Sequence, residues 1–342
     1  MTKFLKYGLI GGALVLAIAV ASVLWALFAP NTPSFDGERG VYLPPGSGFN
    51  TIVDSLTAAG VLQRPLSFRA VANVTGWRRD LRAGHYRFES GASNVELLNA
   101  IREGREAPVR VTIPPGTRPA VAAAVAAREM RFDRTDVLTA LEDTTLAEQL
   151  NVRPSTLFAY MLPETYHFRW LTSVEDVMRS IKRTFDQRWT EEWQEQADSL
   201  GLSQEEVLSL AAIVEWETSV EEEKARIAGV YLNRLDRGMR LQADPTVQYA
   251  LLEQEGAVRR LLFVDYDIEH PYNTYQIDGL PPSPITNPSL SSIRAVLYPE
   301  EHDYLYFVAH IDGGHTFSRT LREHNRAARE FHEAMRERRR QQ

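Results

Sequence analysis

"LSLAAIVEWETSVEEEKARIAGVYLNRL", residues 208–235, holds the densest ordered signal in a chain of 342 residues. Ser203 and Glu206 just upstream have capping-box spacing, as do Ser219 and Glu222 within the stretch. Two consecutive helices are therefore expected, the first ending near Ser219 and the second stopping by Gly238. "IVEWET" sets Glu215 and Glu217 beside Ala211, Ala212, Ile213 and Val214. Side chains two apart on a helix point about 200° from each other, so these carboxylates cannot act on one bond as a pair. Both fall in the last turn, where the negative end of the helix dipole raises a carboxyl pKa. Partial desolvation by apolar neighbours would complete the profile of a general acid. A helical wheel puts both on the flanks of the Val207, Leu210, Ala211, Val214 face. It does not choose between them, and two solvated flank glutamates remain an alternative.

N-terminal to this pair, residues 119–202 read as mainly helical, broken by the aromatic segment "YMLPETYHFRW" around Pro163. Before that, "LPPGSGFNTIVDSLTAAGV" from residue 43 and "IPPGTRPAVAAAVAAREM" from residue 113 echo each other as strand end, turn and helix. A weaker copy, "RFESGASNVELLNAIREG", adds a capping pattern at Ser93 and Glu96. These signals predict an α+β chain with a compact module at 41–112 and a larger domain at 113–342. Residues 31–40 read as a polar linker. Residues 7–28, "YGLIGGALVLAIAVASVLWALF", form 22 uncharged positions, enough to cross a ~30 Å hydrocarbon core. Lys3 and Lys6 precede the span and no early positive charge follows it, so residues 1–30 are expected to place a cytoplasmic tip and an uncleaved anchor, with the remainder exported. A cleavable signal near Ala19 and Ala21 is the competing reading, weakened by the apolar run that continues past it.

C-terminal to the pair, six prolines between Pro245 and Pro288 mark a long stretch of turn chemistry. Its Tyr249, Tyr272 and Tyr275 argue for a functional loop and against a linker. Aromatic faces mixed with Asn, Asp and Gln suit sugars, whose C–H faces stack and whose hydroxyls need hydrogen bonds. "DYLYFVAH", "IDGG" and "HTFS" then read as strand, turn and strand, with a helix capped by Thr320 and Glu323 after them.

Composition excludes several chemistries. A net charge of −7 lacks the basic face a nucleic-acid binder needs, and the absence of cysteine removes thiolate ligands, disulfides and thiol nucleophiles. His302, His310, His315 and His324 match no compact metal motif, no G-x-S-x-G elbow presents a serine, and no phosphate-cradling glycine loop occurs. The basic tail "RERRRQQ" reads as a solvated helix end.

Taken together, "LPETY", "AAIVEWET", "RIAGVYLNRLDRGMRLQADPTVQYAL" and the long segment from "PYNTYQIDGLPPSP" to "SRTLREHN" resemble the membrane-anchored endolytic murein transglycosylases, the YceG-like family, over residues 41–330. That resemblance implies an inner-membrane anchor, a LysM-like module at 41–112 and a periplasmic catalytic domain. The implied reaction cuts peptidoglycan glycan strands between N-acetylmuramic acid and N-acetylglucosamine, leaving 1,6-anhydro ends, and needs no cofactor. It also implies work beside the peptidoglycan synthases, as a terminator of glycan elongation. By the same resemblance the catalytic acid falls on Glu215, with Glu217 supporting it. Glu164, Gln242, Asp244, Thr246, Tyr272, Asn273, Tyr275, His315 and Ser318 become candidates for the groove. Asp244 and Asn273 could instead cap turns, and Tyr275 could be core. The chain departs from the family pattern at Phe158 and Ala159, at Pro115 where a Glu is common, and at Trp216 where a basic residue is common. A non-catalytic peptidoglycan-binding scaffold and a metal-dependent hydrolase stand as alternatives.

Overall fold

The computed structural model describes residues 2–311 and 313–341. It is a mixed α+β chain with two compact units, one of residues 1–110 and 167–172, the other of residues 111–166 and 173–342.

The first unit begins with α1 (Thr2–Phe28), whose stretch Tyr7–Phe28 is long and apolar enough to cross a membrane. Its carboxyl end docks on the unit. The buried Asn94 amide donates to the carbonyl of Ala26 at 2.7 Å, and the Arg64 guanidinium lies over the Trp25 ring. The segment expected to be a linker is not free of the unit. Asn31 is buried, bonding Asn94 and the backbone of Arg64, and β1 (Glu38–Leu43) starts soon after. A buried amide with its donors and acceptors satisfied fixes the chain there as an ordered joint. Strand β1 pairs antiparallel with β2 (Gly84–Glu89), Val41 facing Tyr86 across the ladder. Alternate residues Val41 and Leu43 point inward, onto α2 (Phe49–Ala58), α3 (Pro65–Val74) and α4 (Asn94–Glu103). Ser93 and Glu96 form the expected capping box at the start of α4.

Strand β3 (Val109–Thr112) pairs with β4 (Thr165–Phe168). Between them run α5 (Pro119–Glu129), α6 (Arg134–Glu142) and α7 (Thr144–Gln149), and after them α8 (Val174–Arg188) and α9 (Glu191–Ser199). At the centre of the second unit lies α10 (Gln204–Glu217), beside α11 (Glu221–Asp236), α12 (Asp244–Glu255) and α13 (Leu290–Leu297). Every residue of α10 from Val207 to Val214 is buried. That explains the wheel's silence, because a helix enclosed on all sides has no polar face against which to orient its flanks. An antiparallel hairpin of β5 (Tyr306–Ala309) and β6 (His315–Ser318) and the helix α14 (Leu321–Gln341) complete the chain.

Two further sequence expectations are corrected. The Ser203–Glu206 box forms, but Ser219 caps nothing. It is exposed, Val220 stands at the helix boundary, and the Thr218 hydroxyl instead accepts from the Val220 N–H at 3.0 Å. Helix α10 stops at Glu217, so the corner is tighter than expected and Thr218 holds it. The proline-rich stretch is not irregular throughout, since Pro245 sits in the first turn of α12, where a missing N–H costs nothing. Between Gly256 and α13 the chain is irregular apart from a short 3-10 turn at Phe263–Asp267, and it is braced by its own hydrogen bonds. Arg259 grips Asp265 at 2.6 and 2.9 Å, and the fully buried Asn273 amide donates to the carbonyls of Tyr266 and Ile268. Paired backbone groups of this kind let a loop without regular structure hold one shape.

Candidate active site

The end of α10 separates its two glutamates completely. Glu215 turns into a cluster of donors at the start of α13. Its Oε2 accepts from the Ser289 N–H at 3.0 Å, the Ser289 hydroxyl at 2.5 Å and the Ser292 hydroxyl at 2.6 Å, with Lys224 Nζ at 3.7 Å. Ser289 is the N-cap of α13 and Ser292 its third residue. In a capping box a Glu at that third position would accept the N-cap N–H, and here Glu215 does so from another helix. Lys224, its side chain 4% exposed, also bonds Glu221 at 2.6 Å and Ser291 at 2.9 Å. The network ties α10, α11 and α13 together.

Glu217 faces the opposite way, into an open cavity of roughly 1280 Å³. Gln242, Asp244, Tyr275 and His315 share its lining with Tyr231, Arg234, Gln248, Tyr266, Phe307 and His324. The buried Tyr231 hydroxyl donates to Glu217 Oε1. Desolvation pushes the Glu217 pKa up to about 7; the Tyr231 bond opposes that shift, Asp244 adds to it by repulsion, and Arg234 opposes it. Near neutral pH this carboxyl populates both its protonated and ionised forms, which general acid–base work requires. Asp244, in the first turn of α12, is held by the Tyr275 hydroxyl at 2.7 Å and the Tyr266 hydroxyl at 3.2 Å. Burial first, then the Asp244 charge, keep both phenols protonated by raising their pKa values. Gln242 has φ +48, an uncommon conformation for a non-glycine residue, and its N–H donates to the Thr274 carbonyl. Such strain is maintained only where surrounding structure over-determines it.

The other sequence candidates lie elsewhere. Thr246 is buried and bonds the Ala243 carbonyl and the Thr274 hydroxyl, closing the start of α12. Tyr272 bonds Ser283 and packs on Tyr249 with ring centres 4.6 Å apart, and Asn273 braces the loop. Ser318 is buried in β6, where its carbonyl accepts from the Leu305 N–H. Glu164 pairs with Arg188 at 3.1 Å. Tyr231, Arg234, Tyr266 and Phe307 join the site without having been singled out by the sequence, which offered His324 only as a metal-ligand candidate. A signal existed for Tyr231, because a tyrosine inside the apolar run of α11 must find a partner for its hydroxyl. Burial, with Arg234 adding to it, lowers the His324 pKa, and its buried Nδ1 has no hydrogen-bond partner among the described residues. Among the described residues no group of three or more His, Asp or Glu side chains is arranged to hold a metal ion.

Trp216 stands between the two glutamates and donates its indole N–H to the Gly116 carbonyl at 2.9 Å. Gly116 has φ +58, and a Cβ there would approach the indole nitrogen to 3.2 Å. The turn of "IPPGT" that contains Pro115 and the side chain of Trp216 are two places where the sequence departs from the pattern it resembles, and they meet in space.

A family model described as the YceG-like family matches residues 41–330. The chain is 31% identical over 308 residues to an endolytic murein transglycosylase of Bacillus subtilis (strain 168), covering 85% of this chain and 84% of that protein. It is 30% identical over 307 residues to an endolytic murein transglycosylase of Streptococcus pneumoniae serotype 2 (strain D39 / NCTC 7466), covering 81% of this chain but only 55% of that longer protein. A crystal structure of a yceG-like protein from Listeria monocytogenes superposes with a TM-score of 0.57 at 29% identity, covering 84% of this chain and 98% of that one.

Proposed function

We propose, from the premise that this chain belongs to the YceG-like family, that it is a lytic transglycosylase acting on peptidoglycan glycan strands with Glu217 as its acid and base. The observation that carries the residue choice is the contrast at the end of α10. Glu217 lines the open cavity with a pKa of about 7, while Glu215 Oε2 is engaged by three hydrogen bonds from α13 and approached by Lys224. The role that resemblance placed on Glu215 moves two residues along the helix, and Glu215 becomes the residue that fixes the helix end.

Protonated Glu217 gives its proton to the glycosidic oxygen as the bond from C1 of N-acetylmuramic acid to that oxygen breaks. The 6-hydroxyl of the same sugar then attacks C1, and the Glu217 carboxylate takes its proton. The product is a 1,6-anhydro end, no water is consumed, and Glu217 returns protonated. Tyr231, donating to Oε1, steadies the carboxylate between the two steps. The braced Asp244 gives the cavity wall a negative character suited to positive charge developing at C1. Because the attacking hydroxyl is part of the substrate, proximity supplies much of the rate, and one carboxyl suffices where a retaining hydrolase needs two about 5–5.5 Å apart.

The same reading makes α1 a single-pass inner-membrane anchor with its amino end in the cytoplasm, supported by Lys3 and Lys6 ahead of the span. It makes residues 41–112 a LysM-like module that holds glycan, and it puts the cavity in the periplasm, beside the synthases whose nascent strands it terminates. The test is digestion of purified murein by the full chain in detergent, with product ends identified by mass. Anhydro-muramyl ends that vanish in Glu217→Gln are expected; reducing ends would mean hydrolysis, and unchanged products in Glu217→Gln would overturn the assignment.

A further inference from the structure

A largely withdrawn carboxylate, Glu223, and an imidazole of the cavity lining, His315, take no part in the proton transfers at Glu217. Glu223, in the first turn of α11, accepts from the His315 backbone N–H at 2.8 Å through Oε1 and from His315 Nδ1 at 2.7 Å through Oε2. Both side chains are largely withdrawn from solvent, at 14% and 15% exposure. An ionised carboxylate only accepts, so the proton between them belongs to Nδ1. Nε2 is then the ring nitrogen left over, and among the described residues it has no hydrogen-bond partner, although His315 lines the cavity.

The approach of Glu223 to the main chain depends on Gly314. That residue has φ +70, and a Cβ built on it would come within 2.5 Å of Glu223 Oε1. The backbone at Gly314 thus leaves room for this carboxylate. The His315 ring stands edge-on to Phe307 with centres 5.3 Å apart, and Phe307 stands edge-on to Tyr231, the donor to Glu217. His315 and Glu217 are therefore parts of one cavity wall, joined through two aromatic rings.

We propose that Glu223 is a positioning residue that holds His315 in its Nδ1–H form, and that His315 Nε2 accepts a hydrogen bond from a sugar hydroxyl of the glycan in the cavity. A carboxylate behind an imidazole fixes both its tautomer and its orientation, and the exposed nitrogen is then a prearranged acceptor for a hydroxyl. The inference rests on the reading of this cavity as the glycan site, and it differs from a mere tether of the hairpin to α11. A tether needs only a donor at the Nδ1 position; recognition needs the group at Nε2.

The test separates these roles in the full chain carrying Glu217→Gln, with affinity for purified uncrosslinked glycan strands measured by calorimetry. His315→Asn keeps a donor near Nδ1 and removes Nε2, and it should weaken binding about tenfold with an unchanged melting temperature. His315→Gln, which restores an amide near the Nε2 position, should recover most of that loss. Glu223→Ala and Gly314→Ala should weaken binding as His315→Asn does, and ¹⁵N spectra of Glu223→Ala should show His315 losing its Nδ1–H tautomer. Parental affinity in His315→Asn, or an unchanged tautomer in Glu223→Ala, would overturn the proposal. Cleavage of murein by Glu217→Gln itself would instead sink the catalytic assignment and leave these binding comparisons standing. Failure of that parent to bind glycan would sink the inference.

Discussion

Two carboxylates two residues apart on one helix end in opposite chemical surroundings. Around Glu215 the space is filled with donors, two hydroxyls, a backbone N–H and an ammonium, all from the protein itself. Around Glu217, among the described residues, the Tyr231 hydroxyl donates, Asp244 repels the carboxylate, Arg234 favours it, and the cavity lies open beside them. The helix supplies this contrast through its turn angle, since residues two apart face different sides. A carboxylate whose Oε2 takes three internal hydrogen bonds holds structure together; one that faces an open cavity can exchange a proton with something else.

The contrast can be broken first on the structural side. Glu215→Ala removes the borrowed cap of α13 and one neighbour of the buried Lys224, which keeps Glu221 as its partner. A loss of about 3 kcal/mol in unfolding free energy is expected, at the lower end for dismantling a buried ion pair because Lys224 is not left alone. Denaturant melts check it, and a loss below about 1 kcal/mol would mean that the cluster is incidental.

On the cavity side the prediction has the opposite sign and depends on pH. The folded-state pKa of Glu217 is raised, to about 7, above the ordinary 4.5. Its favourable contribution is therefore complete below pH 4.5 and is lost as pH rises through 7. Glu217→Gln has no such charge to bury, so it should gain on the wild type between those limits, by at most about 3 kcal/mol at pH 8. Parallel melts from pH 4 to pH 8 read this directly, and a constant difference across the range would contradict the burial of a titrating group. The same sign applies to rate. Cleavage should fall on the alkaline side as Glu217 loses its proton.

The smallest effect sharpens the contrast. Tyr231→Phe removes the donor that favours the Glu217 carboxylate, so the Glu217 pKa should rise further and the alkaline limb of the rate profile move up by about one pH unit. A limb that moves down or stays fixed would show that Tyr231 is not a functional partner of this carboxyl.

How much of this was legible in the sequence depended on distance along the chain. The capping box at Ser203, the box at Ser93 and the β5–β6 hairpin rest on neighbours within a few residues, and the structure has all three. The choice between Glu215 and Glu217 rests on Ser289 and Ser292, 74 and 77 residues beyond Glu215, and on Tyr231, 14 beyond Glu217. No local pattern encodes such partners, and a helix buried on every side offers no amphipathic clue to replace them. A local ambiguity hid α12, because a proline in the first turn of a helix has the same sequence signature as the turn prolines that follow it. The Ser219 box had the right spacing and still failed, because Thr218 was one residue closer to the corner. Gln242, Asp244, Tyr275 and His315 do meet around one cavity, but Thr246, Asn273 and Tyr272 hold the scaffold behind it.

The central claim is that the two glutamates have exchanged the roles their motif suggested. Its most direct test is the rate of anhydro-muramyl end formation by Glu215→Gln and Glu217→Gln side by side, each against the wild type at pH 6. A loss of about 10²–10⁴-fold is expected in Glu217→Gln, beside a folded Glu215→Gln enzyme that keeps measurable turnover. A Glu217→Gln enzyme that cuts like the wild type, beside a well-folded Glu215→Gln enzyme that does not cut at all, would contradict it.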